Sequence, residues 1–124
     1  ALDKDMRKLV WALAKLCAEW NTLTVRLMLM ARKDREIISA ASDDFLMYSG
    51  YVMMGYHWAR MAAVAYDKLE TGGTESPEFY KAKIQTAEFY FDKLLPRASG
   101  HAEAMVAPSD SMTAMKIENF AFLD

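Results

Sequence analysis

Cysteine is almost missing from this chain. Cys17 stands alone, so no internal disulfide can form, and the usage fits a reducing compartment. Proline and glycine are scarce too, three and five in 124 residues, too few to punctuate the many short strands of a sandwich or barrel. No sustained apolar/polar alternation of period two is present, which removes the main strand signal. Neither sign of charge dominates: the formal net charge is -2 and the pI about 5.7, without the basic stripe that a nucleic-acid partner requires. Residues 1–9 lack a basic segment followed by an apolar one, so no signal peptide is expected. The longest low-charge run, Phe45 to Tyr56, is too short to span a bilayer and is followed by His57 and Arg60.

What is present is helical periodicity in a chain long enough for one real core. Hydrophobic residues make up 53 % and charged residues 26 %, an ordinary balance for one folded domain of this length. Met6, Leu9, Val10, Leu13, Leu16, Cys17, Trp20, Leu23, Leu27 and Met30 recur at three- and four-residue intervals and predict a first helix from about Asp3 to about Lys33. Asp3 and Asp5 near its start and Arg32 and Lys33 near its end suit the helix dipole. A second helix is predicted with Ser42 as N-cap and Asp43 and Asp44 in its first turn, or with a start near Asp34. From Phe45 to Tyr66 it is apolar nearly all round, as expected of the centre of a bundle or of a helix between a bundle and another domain. Gly50 and Gly55 in its middle suggest close helix approach.

Thr71 to Ser76 is a loop, and Ser76-Pro77-Glu78 is a helix start of N-cap, first-turn proline and acidic second residue. In the helix that follows, Tyr80, Ile84, Ala87, Phe91 and Leu94 or Leu95 share one stripe, widened by Phe79, Phe89 and Tyr90, so more than one side needs cover. Pro96 cannot donate to the carbonyl of Asp92, and the axis should bend there before continuing toward Val106. After Ala107-Pro108-Ser109-Asp110, a second break with cap chemistry, residues Met112, Met115 or Lys116, and Asn119 or Phe120 mark a short fourth helix. The fold class expected is all-α, an antiparallel, up-and-down bundle of three long helices plus a short C-terminal one, in a single domain over 1–124.

Chemistry is sparse. Met54 and Ala98 precede the two histidines by three residues, so neither completes the Glu-x-x-His pair of a di-iron bundle. No Cys-x-x-Cys occurs, nor two histidines at helical ligand spacing. Cys17 lies on the apolar stripe of the first helix as a buried thiol. Gly72-Gly73 lacks the strand context of a phosphate loop, and no Gly-x-Ser-x-Gly is present. The ten methionines are flexible core filler. His57 and Arg60 lie one turn apart in an apolar helix, where Arg60 either snorkels to the surface, pairs with a carboxylate, or meets a neighbouring domain. Glu88 and Asp92 are a like-charge pair on a solvated face. No catalytic, cofactor-binding or metal-ligating residue is assigned.

Several segments nevertheless carry a resemblance. They are Ala41 with Phe45-Leu46 and Gly50; Trp58-Ala59-Arg60-Met61-Ala62; Phe79-Tyr80-x-x-Lys83; Thr86-Ala87-x-Phe89-Tyr90-Phe91; Leu94-Leu95-Pro96-Arg97; and Ser111-Met112-x-Ala114-Met115 with Phe120. Over about residues 35–120 the chain resembles the C-terminal helical domain of one branch of the acyl-CoA dehydrogenases, the long enzymes of the methylmercaptopropionyl-CoA dehydrogenase type. Gly100-His101 departs from that pattern, where an apolar residue is more usual. The resemblance implies a parent oxidoreductase in fatty-acid metabolism that desaturates an acyl-CoA thioester, with FAD carrying the redox chemistry. It also implies that the flavin, the thioester pocket and the catalytic glutamate sit in preceding domains. The chain would then be an accessory piece of a cytoplasmic homo-oligomer, and its start at Ala1 without Met fits a fragment of something longer. The alternative is a free-standing bundle that binds a protein partner or an apolar ligand.

Overall fold

A computed structural model describes residues 2–122, with side chains from residue 4 onward, and contains no strand among them. Helix α1 spans Leu2–Met30 and α2 spans Ile37–Thr71. The third rod is composite: α3 at Pro77–Phe89, a π-helical turn at Tyr90–Leu94, a 3₁₀ turn at Leu95–Arg97, and α4 at Ala98–Met105. One further turn, α5, covers Asp110–Thr113, and a 3₁₀ turn follows at Ile117–Asn119.

The first helix ends three residues earlier than its periodicity suggests, and Arg32 and Lys33 lie in the turn beyond it. The Asp3 side chain lies outside the described residues. Ser42 is not a cap: α2 already runs through it, and its hydroxyl donates to the Ser39 carbonyl. The start near Asp34 is the one adopted. There the Asp34 carboxylate accepts the Glu36 N–H at 3.2 Å and the Asp34 carbonyl accepts that of Ile37 at 3.3 Å. Apolar pairing decides between the two starts, because Ile37 and Ala41 are buried with Leu23 and Leu27 and a helix beginning at Ser42 would forfeit that burial.

The buried face of α2 includes Ala41, Tyr48, Gly55 and Ala62 at seven-residue intervals, flanked by Val52 and Ala59. This face packs in three clusters. The first joins Leu23 and Leu27 of α1 with Ile37, Tyr48 and Val52 of α2 and Ala98 and Met105 of α4. The second joins Leu9, Ala59, Ala62, Ala87, Tyr90, Phe91 and Leu95. In the third, Ala65 meets Tyr80 and Ile84. Alanines here let the helix axes come close while ridges from α1 and the third rod fill the grooves. Two tyrosines satisfy their hydroxyls across helices. Tyr48 Oη donates to Glu19 Oε1 at 2.8 Å, with the Leu16 carbonyl at 3.3 Å, and Tyr90 Oη donates to the Tyr51 carbonyl at 2.7 Å.

Pro96 shapes the third rod as its sequence requires, though the adjustment begins before it. The Leu95 N–H reaches back five residues to the Tyr90 carbonyl, and that widened turn precedes the residue that has no N–H to give. The wide turn also lets consecutive Tyr90 and Phe91 both be buried. Phe79 and Phe89 do not join them; they are half exposed, because α1 and α2 cover only one side of the rod.

Ser76 caps α3 as predicted, accepting the Phe79 N–H, with Pro77 opening the helix. Gly72 has φ +88°, a conformation suited to glycine. At Gly73 a Cβ would strike the Tyr80 ring, whose hydroxyl accepts the Glu75 N–H. The fourth helix shrinks to α5. Ser109 does not cap it by side chain; its hydroxyl donates to Asp34 instead, and Met112, Met115 and Phe120 stay exposed with nothing to pack against.

The two glycines of α2 differ. A Cβ at Gly55 would lie 3.4 Å from Leu95 Cδ1 and 3.5 Å from Leu13 Cδ1, whereas at Gly50 nothing lies within 4 Å. Close approach explains the first glycine and not the second. Gly50→Ala should therefore stabilise the fold by about 0.5–1 kcal/mol, with Gly55→Ala giving clearly less because Leu13 and Leu95 must yield. Urea unfolding of both variants measures the difference. Tyr90→Phe should cost about 0.5–1.5 kcal/mol in the same assay, the net worth of the bond its hydroxyl donates to the Tyr51 carbonyl.

Candidate functional site

The ionisable side chains that touch one another join separate segments of the fold. Asp34 accepts from the Ser109 hydroxyl at 2.6 Å and the Ser109 N–H at 3.1 Å. These two bonds, the hydroxyl foremost, hold the Asp34 carboxyl below its ordinary value. Asp44 and His101 meet at 2.9 Å, half buried, with the Tyr51 ring tilted against the imidazole at 5.9 Å. His101, part of the departure from the family pattern, thus ties α4 to α2. Burial and then the Glu19 bond raise the Tyr48 phenol above its usual range, and burial pushes Tyr90 up to about 12. Neither phenol ionises near neutrality. Cys17 is half-buried against the first cluster. Asp92 of the like-charge pair finds Lys8 at 3.8 Å, an exposed contact of little energetic weight. Among the described residues no group of three His, Cys, Asp or Glu is placed to hold a metal ion.

The surface is more telling than the ion pairs. Helix α2 carries a second, broad apolar stripe outside its buried one: Leu46, Met47, Met53, Met54 and Val64 are all substantially exposed, as is Ile38 near its start. Two grooves of about 590 Å³ flank it. The first lies between α2 and α3 and is walled by His57, Arg60, Met61, Val64, Ala65, Phe79, Tyr80 and Lys83. The second, between α1 and α2, is lined by Leu27, Met28, Ile38, Phe45 and Leu46 among others and has no ionisable wall.

Sequence reading singled out His57 and Arg60, and the structure places both on the first groove. Arg60 reaches the surface and lies over the Tyr56 ring at 5.7 Å, while His57 meets the same ring edge-on at 5.4 Å. Arg60 is exposed and forms no ion pair among the described residues. Lys83, across the groove, was noticed only as part of a family pattern. It sits over the Phe79 ring at 5.3 Å and likewise forms no ion pair. The i, i+4 spacing of Phe79 and Lys83 was the available signal.

A family described as acetyl-CoA dehydrogenase C-terminal like matches residues 1–116. The chain belongs to that family. The match takes in all of α1, which the resemblance read from motifs left largely aside, and stops short of Phe120. No curated protein matches the chain, and no solved structure does.

Asp34 supplies a pH prediction. Its pKa is lower folded than unfolded, so its contribution is fully present above the unfolded value near 3.8 and disappears as pH falls through the folded one. The Ser109 amide should accordingly lose exchange protection in acid. Asp34→Asn should reproduce that loss at neutral pH, read by hydrogen exchange, with α1 and α2 amides unchanged.

Proposed function

We propose that this polypeptide is an accessory C-terminal domain of an FAD-dependent acyl-CoA dehydrogenase, of the long methylmercaptopropionyl-CoA dehydrogenase-like branch. It packs against the catalytic domains of its parent or against another subunit while the α,β-dehydrogenation of the thioester takes place elsewhere. Family membership supports the parent class. The observation that carries the accessory role is the second apolar stripe of α2, because exposed apolar surface on this scale marks an interaction face. Residues 1–124 form one domain, an antiparallel up-and-down bundle. In support, the start of α1 clusters with the end of α2, and the start of α2 with the ends of α1 and α4.

No catalytic, cofactor-binding or metal-ligating residue is assigned to this chain. The side-chain contacts described above that join distant segments, Tyr48 to Glu19, Tyr90 to the Tyr51 carbonyl, His101 to Asp44 and Ser109 to Asp34, each tie two parts of the fold together, which supports this reading. FAD and the acyl-CoA belong to the parent, which we place in the cytoplasm as a homo-oligomer. No helix of the described residues is long and apolar enough to cross a membrane.

The test is direct. The isolated chain, supplied with FAD and acyl-CoA, should neither retain flavin nor reduce an electron acceptor, whereas the full encoded polypeptide should do both. Turnover by the isolated chain would end the proposal. The stripe makes a second prediction: the isolated chain should bind an apolar dye and self-associate, and Leu46→Glu with Met54→Glu should suppress both. A monomeric sedimentation profile without dye binding would count against the interaction face.

A further inference from the structure

We propose that the groove between α2 and α3 binds an aliphatic chain ending in an anionic head, with Arg60 and Lys83 at the head and Met61, Val64, Ala65 and Phe79 along the chain. The proposal does not depend on the accessory role. Its volume, about 590 Å³, falls in the range of small-ligand sites, which combine apolar walls with a few convergent polar groups. From His57 to Ala65 the groove follows α2 for about 12 Å at the helical rise per residue, the reach of a medium-length aliphatic chain.

The charges select the ligand. All three ionisable residues on the groove are basic types, His57, Arg60 and Lys83, and no carboxylate lines it. In a chain of net charge -2, that grouping is the reverse of the overall balance. Neither Arg60 nor Lys83 is neutralised by an ion pair among the described residues. Each instead rests over an aromatic ring, Tyr56 and Phe79 respectively, which restrains the side chain while leaving its N–H donors for an acceptor. The Tyr80 hydroxyl is already engaged by the Glu75 N–H, so Tyr80 offers a ring wall, not a competing polar group. The other large groove is a built-in control. It has the same volume and lies on the same helix, yet has no ionisable wall, so an apolar chain alone would not distinguish the two.

The experiment titrates the labelled 124-residue protein with decanoate, decyl phosphate and decyltrimethylammonium, each below its micelle-forming concentration, following backbone amide shifts. Decanoate or decyl phosphate should saturate one site, with shifts centred on residues 57–65 and 79–83. Whichever of these two binds more tightly identifies the head group as carboxylate or phosphate. The ammonium amphiphile should bind roughly tenfold more weakly, the scale expected of two partly exposed charge contacts. Arg60→Glu with Lys83→Glu should reverse that preference, and Arg60→Gln with Lys83→Gln should abolish it, both keeping the parent helical circular dichroism. Lys8→Glu, a charge reversal away from the groove, should leave it intact. Equal affinity for both head charges, shifts spread equally over Ile38 and Phe45, or binding that never saturates would overturn the proposal. So would sedimentation showing that Arg60 and Lys83 hold two copies of the chain together, since a second copy would then occupy the groove.

Discussion

A helix of 35 residues, apolar on two faces, has to be covered along its length, and the arrangement of this protein follows from covering α2. Its inner face is built from small residues, Ala41, Gly55, Ala59, Ala62 and Ala65, so neighbours come close and leave little void. Helix α1 lies on one part of that face and the composite third rod on another, meeting in clusters that each contain α2 residues. Contacts between α1 and the third rod are subordinate. Removing α2 would leave both partners without a core, whereas removing α5 would strip away almost no buried surface.

The third rod accommodates a proline by changing helical pitch instead of breaking. The π turn before Pro96 carries Tyr90 and Phe91 inward together, and the 3₁₀ turn through Pro96 tightens the chain again before α4. Leu95 then sits against Gly55, the closest helix approach the glycines define. Tyr90 completes the arrangement by reaching a carbonyl of α2, a group already bonded within its own helix, whose second lone pair takes the phenol. Polar groups in this core therefore fix register. Trp20 is the exception: its buried indole N–H meets no partner among the described residues, and its ring packs against the first cluster.

The same economy explains why chemistry is hard to find here. The Asp34 carboxylate pins the Ser109 turn, the Asp44–His101 pair clasps α4, and Glu19 receives a buried phenol. What remains uncommitted is apolar surface along the outer face of α2 and the basic side chains bordering the groove beside it.

Much of the fold was legible in the residues because its determinants are local. The spacing of apolar residues marked α1, Ser76-Pro77-Glu78 marked the start of α3, and Pro96 marked an irregular turn, each within a few residues of the cause. The misreadings share another origin. Ser42 has the chemistry of a cap, yet the burial of Ile37 and Ala41 against Leu23 and Leu27 carried the helix back past it. Ser109 has the same chemistry and was drawn to Asp34, 75 residues away in the chain. Gly50 and Gly55 look alike in sequence and differ only in what faces them. The groove was half visible: Arg60 and His57 stood out as charge-bearing residues in an apolar run, but their convergence with Lys83 needs α3 laid beside α2. Composition and periodicity alone determined an all-helical chain whose second helix is apolar nearly all round, because backbone hydrogen bonding and side-chain spacing within a helix are set by near neighbours. Which of its two faces is buried, which caps are used and which cations share a groove were decided only in three dimensions, where distant segments compete for the same surface.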